Sequence, residues 1–69
     1  METEIYESDP FTAKKATLLA SFTSDYRFQK GDELYIHRDG RTTKVRLIDV
    51  RVHVQAGGKL TREVLALKL

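Results

Sequence analysis

The chain has 69 residues, a formal net charge of +2 and no cysteine. That length holds one domain, near the lower limit at which a single core stabilises a fold. The missing cysteines exclude a disulfide framework and a thiolate metal site, so stability must come from packing or from assembly.

The charge is unevenly placed. Residues 1–10 carry Glu2, Glu4, Glu7 and Asp9 and no lysine or arginine, whereas residues 11–69 hold all twelve basic residues and six acidic ones, a balance of +6. Residues 1–13 show no sustained hydrophobic period, and Pro10 biases Asp9 toward an extended backbone. They read as an acidic, flexible arm on a basic body, residues 14–69, with Ile5, Tyr6 and Phe11 as its available anchors. The acidic opening lacks the basic start of a secretory signal, and no apolar run approaches the roughly 18 residues of a membrane-crossing helix. A cytoplasmic protein with no membrane partner is expected.

From Ala16, the run ATLLASFT alternates Leu18, Ala20 and Phe22 with Thr17, Leu19, Ser21 and Thr23, which predicts a first strand. Ser24 to Asp32 is rich in turn formers, with Tyr26 and Phe28 spaced to plug one end of a core. Within DYRFQKGDELYI the positions Phe28, Gly31, Leu34 and Ile36 follow an apolar pattern around a glycine. This segment resembles the diverging turn of SH3 domains, and the resemblance covers a dozen residues. It implies a small barrel. The long acidic loop, paired tryptophans and proline–tyrosine pair of polyproline-binding SH3 domains have no counterpart here, so no proline-peptide groove is implied.

The stretch Glu33 to Leu47 predicts a β-hairpin closed by Asp39-Gly40, the two residue types that best tolerate the positive φ of a type I′ turn. That turn sets Arg38 opposite Arg41, His37 opposite Thr42, Ile36 opposite Thr43, Tyr35 opposite Lys44, Leu34 opposite Val45 and Glu33 opposite Arg46. One face then carries Leu34, Ile36, Val45 and Leu47. The other carries Glu33, Tyr35, His37, Thr42, Lys44 and Arg46, with a Glu33–Arg46 cross-strand pair. A slip of one residue would exchange the two faces, burying Lys44 and Arg46.

Beyond Leu47 the apolar positions change phase, from odd Val45 and Leu47 to even Ile48, Val50, Val52 and Val54. A bulge near Leu47 and Ile48 is the simplest cause. Gly57-Gly58 reverses the chain, and residues 59–69 form the last strand. A two-residue loop would pair Val50 with Leu65 and Ile48 with Leu67. A three-residue loop would pair Val54 with Leu60, Val50 with Val64 and Arg51 with Glu63. The sum is an all-β domain, a five-stranded, mostly antiparallel SH3-like barrel with the acidic arm before it.

No catalytic signature occurs: there is no nucleophile elbow, phosphate loop, zinc-binding helix motif or calcium loop, and two histidines without cysteine make a poor metal set. No enzyme activity, cofactor, metal site or small-molecule substrate is expected. Adjacent Asp32 and Glu33 point to opposite faces of a strand, which suits turn chemistry better than paired acid–base work.

Two binding surfaces remain. Tyr35, His37, Arg38, Arg41, Lys44 and Arg46 gather cations around an aromatic ring, an arrangement that suits weak, salt-sensitive nucleic-acid binding, with Tyr35 as the stacking residue. The alternative is a protein-interaction or self-assembly module. In that reading Leu65, Leu67 and Leu69 make the final strand an apolar sheet edge, able to pair with a partner or with a second copy as a homodimer.

Overall fold

The computed structural model describes residues 1–9, 11–12 and 14–69; the expectation for Pro10 and the boundary at residue 13 fall outside the described residues. Among the described residues five strands form, and no helix is long and apolar enough to cross a membrane. They are β1 (Glu2–Ser8), β2 (Lys15–Thr23), β3 (Glu33–Arg38), β4 (Arg41–Val54) and β5 (Leu60–Lys68). They make one sheet in the order β2-β1-β5-β4-β3, curled into a half-barrel. Every neighbouring pair is antiparallel except β1 with β5.

The central hairpin has the predicted register at all six pairs, from Glu33 with Arg46 to Arg38 with Arg41. Asp39 and Gly40 hold φ of 52° and 73°, the left-handed values that a type I′ turn requires. Val45 and Leu47 are buried and Leu34 and Ile36 pack on them, whereas Tyr35, His37, Thr42 and Arg46 face solvent. The phase change in β4 is a bulge: Leu47 lies opposite Ala66 and Asp49 opposite Leu65, leaving Ile48 as the additional residue. Of the two registers open for the last hairpin, the three-residue loop is formed, with Val54 opposite Leu60 and Arg51 opposite Glu63. Gly57 and Gly58 both take positive φ there, and Gln55 binds Gly58 through its carbonyl and Lys59 through its amide.

Residues 2–8 correct the expected arm. They form β1, which is paired on both sides, with β2 and with β5. Thr3, Ile5 and Ser8 are buried, and Ile5 joins Val45, Leu47, Val64 and Ala66 in the core. Glu2 and Glu4 alternate outward with Thr3 and Ile5, and Glu2 meets Lys59 at 3.1 Å; Glu7, of the other parity and opposite Ala66, lies 3.5 Å from Lys68. Phe11, by contrast, is exposed in the turn and anchors nothing.

The same pairing corrects the expected edge. With β1 on one side and β4 on the other, β5 is the central strand of the sheet, so Leu65, Leu67 and Leu69 do not form an edge. Leu65 is fully buried, Leu67 is half-buried, and only Leu69, past the end of β5, is exposed.

Residues 24–32 join β2 to β3 across the concave side of the sheet. Phe28 packs on the core as expected and makes edge contacts with Tyr26 and Phe22, whereas Tyr26, expected to plug the core with it, is 58% exposed. Asp32 is turn chemistry, its carboxylate accepting the Gln29 amide at 2.9 Å. Beneath the loop lies Arg62, 7% exposed, stacked on Phe28 and bonded to Thr3, Ser24 and Tyr26.

Candidate functional site

The hairpin places Tyr35, His37, Lys44 and Arg46 on one convex face, because alternate strand residues share a side and the turn aligns the two strands. Tyr35 is 61% exposed, with the Lys44 ammonium 5.6 Å from its ring centre. The cations beside it are compensated. Glu33 accepts from Arg46 at 2.8 Å and lies 3.5 Å from Lys44. The Arg46 bond, followed by the Lys44 charge, holds the Glu33 carboxyl below the usual glutamate range. His37 shares a hydrogen bond with Thr42 at 2.9 Å.

Arg38 and Arg41, grouped with these residues by sequence, sit elsewhere. They border the cleft between the β3 and β2 edges, together with Leu19, Ile36, Thr43 and Lys68. Arg38 reaches across this cleft, its Nη1 donating to the Leu19 carbonyl at 3.0 Å and to Leu18 at 3.4 Å. Its guanidinium thereby spans the open seam of the half-barrel, satisfying carbonyls that a closed barrel would pair with a strand. Arg41 is exposed at the hairpin base. The six residues therefore divide into a compensated face and a seam.

Further along the convex face, Glu63 of β5 collects the neighbouring cations. Lys15 approaches it at 3.0 Å, Arg51 at 3.6 Å and His53 at 3.9 Å. Bonding to Glu63 raises the Lys15 pKa above that of a free lysine, and the Lys15 ammonium also lies over the Tyr6 ring. Asp49 takes a 2.8 Å bond from Arg51. Glu2, Glu4, Glu33, Asp49 and Glu63 thus share this face with Lys15, Lys44, Arg46 and Arg51, and the surface is mixed in sign.

The second half of β4 is a different kind of surface. β3 covers β4 from Arg41 to Arg46, and the last contact on that side is Leu47, whose amide and carbonyl bond Asp32 and Gly31. From Ile48 to Val54 the strand pairs with β5 alone, and no backbone hydrogen bond is made on its other side among the described residues. The Gln55 amide points at Lys59 on the β5 side, so antiparallel alternation directs His53, Arg51 and Asp49 toward β5 and Val54, Val52 and Val50 outward. Val52 is 53% exposed and Val54 73%, and Leu60, opposite Val54, is exposed with them.

Sequence reading missed this edge because it took the bend near Leu47 and Ile48 as the device that closes a barrel and placed the open edge on the last strand. It also missed Arg62. The three-residue-loop register places Arg62 opposite Val52, on the concave face, and that placement was the available signal. Comparison with family models, with curated proteins and with solved structures finds no match to this chain.

Proposed function

We propose that this chain is a non-enzymatic interaction module that binds an extended protein segment along the outer edge of β4. The observation that carries the reading is the free edge at Ile48–Val54: a seven-residue run with outward amides at Val50, Val52 and Val54 beside an exposed apolar face. Edges of this kind template strand addition, in which backbone bonds supply affinity and alternate side chains supply selection. Soluble proteins usually blunt such an edge with an inward charge, a proline or a covering loop. None of Ile48, Val50, Val52 and Val54 is a charge or a proline.

The test is an NMR titration of labelled protein with a lysine-flanked peptide that alternates valine and threonine. Shifts are expected along 48–54 and along Leu60, and Val52→Pro should abolish them, because it deletes one outward donor at an edge position where proline is tolerated. Shifts confined to other strands, or none at millimolar peptide, would overturn the reading.

A second reading keeps the hairpin face as a weak nucleic-acid surface. It is favoured by the exposed Tyr35 ring next to Lys44, the geometry on which a base would stack. Glu33 and the mixed charge of the face weigh against it. Binding of a single-stranded oligonucleotide that shifts Tyr35 and weakens steeply with salt would support it, and salt-independent binding, or none, would contradict it.

A further inference from the structure

We propose that the open mouth of the half-barrel, between the hairpin tip and β2, binds an aliphatic carboxylate, with the head group on Arg38 and Arg41 and the chain on Leu19 and Ile36. The mouth lies at the opposite end of β4 from the docking edge, since Arg41 starts that strand and Val54 ends it, and the site does not depend on the edge reading.

Strand alternation builds the cleft. Leu34, Ile36 and Arg38 share the concave face of β3, and Val45, Thr43 and Arg41 lie opposite them on β4. Toward the 24–32 loop this face is closed by Phe28 and Arg62. Toward the turn it opens into a cleft of about 480 Å³, where Ile36 and Thr43 meet Lys68 at the end of β5 and Thr17 and Leu19 of β2. Leu19 and Ile36 are half-buried, which makes the floor aliphatic, and among the described residues no aromatic ring lines it on which a base could stack. Barrel mouths with an apolar floor and a few convergent polar groups are common ligand sites.

The rim is positive. Arg38 and Arg41 are directly opposed at the last pair of the hairpin, a like-charge arrangement that costs stability until an anion sits between them. Arg38 is already oriented for one. The β1–β2 register leaves Leu19 as an additional residue, and Nη1 of Arg38 donates to the carbonyls of Leu18 and Leu19, while Nη2 has no acceptor among the described residues. Those carbonyls do not neutralise the guanidinium, and its carboxylate neighbour, Asp39, is 3.8 Å away with its side chain 89% exposed. Arg41 makes no ion pair among the described residues, in contrast to Lys44, Arg46 and Arg51 on the convex face. Lys68 is shared with Glu7 at 3.5 Å. Three cations against Asp39 and Glu7 leave one positive charge, the complement of a monoanion. Two guanidinium forks side by side suit the paired oxygens of a planar carboxylate.

The experiment is an NMR titration of labelled protein with octanoate, with octanol and with acetate, followed by octanoate on Arg41→Gln. Octanoate is expected to shift the Leu19 and Ile36 methyls and the Thr17 and Thr43 amides along one saturating curve. Octanol should leave them unmoved at the same concentration, and acetate and Arg41→Gln should each weaken binding about tenfold. Arg41→Gln also removes the repulsion with Arg38, so it should melt no lower than wild type, an outcome that a merely structural arginine would not give. No shift with millimolar octanoate, equal binding of octanol, or an Arg41→Gln affinity like that of wild type would overturn the carboxylate site. Acetate that matches octanoate would overturn the role of the aliphatic floor. Octanoate shifts confined to Val50–Val54 and Leu60 would overturn the placement in the mouth and assign the chain to the β4 edge.

Discussion

Arg62 donates from both Nε and Nη2 to the hydroxyl of Thr3, at 3.1 and 2.9 Å, tying β5 to β1 inside the concave face. The rest of the guanidinium goes to the carbonyls of Tyr26 and Ser24, and no buried side-chain polar atom among the described residues lacks a partner. Arg62 is thus the post on which the 24–32 loop is held. Thr3→Val keeps the shape and removes the acceptor, leaving buried donors unmatched, and should cost about 1–3 kcal/mol in a urea titration. Arg62→Met removes the post and strands the two carbonyls and the hydroxyl, with an expected loss on the order of 3 kcal/mol. The same change should speed hydrogen exchange through residues 24–32.

The Glu33 carboxylate, held by Arg46 and Lys44, has a folded pKa below its unfolded value. A depressed carboxyl contributes stability that is fully present above the unfolded pKa and is lost as pH falls through the folded one. In Arg46→Ala the Glu33 carboxyl should titrate nearer the ordinary glutamate range. The acid side of the stability curve should flatten accordingly. Carbon-detected NMR of the Glu33 side chain checks the first, and urea titrations between neutral and acid pH the second.

At the hairpin tip, Gly40 sits at φ 73° beside Asp39 at 52°. No neighbouring atom crowds either side of a Cβ at Gly40, so the penalty of Gly40→Ala is conformational and should be about 1 kcal/mol. Asp39→Gly meets the same backbone demand and should change stability little. Thermal melts of the two variants separate the cases.

The parts of the fold that were legible share a cause: local chemistry. Asp39-Gly40 and strict alternation fix the central hairpin, and the odd-to-even switch after Leu47 reveals the bulge at Ile48. The last hairpin was legible as two registers only, because Gly57-Gly58 suits loops of two or three residues. What was not legible is nonlocal. β1 docks on β5 in parallel, a pairing that no turn announces, and its alternation of Thr3 and Ile5 with glutamates breaks at Tyr6, where the register with β2 shifts. Four carboxylates in ten residues then read as a solvated arm. That misplacement moved the apparent edge to β5. With β1 in place, Leu65 is interior, β2 and β3 are the outer strands, and the second half of β4 is uncovered beyond the end of β3. Lys44 and Arg46 keep their predicted face, but only the folded structure shows that Glu33 engages both and that Arg38 leaves that face to span the seam to β2.

The most direct test of the docking edge is amide hydrogen exchange, residue by residue along β4, in dilute protein and again with the valine–threonine peptide. Alone, Asp49, Arg51 and His53 should be protected by β5, while Val50, Val52 and Val54 exchange freely. With peptide, the three valines should gain protection together. Valines already protected in dilute monomer, or still exchanging freely at saturating peptide, would contradict the account.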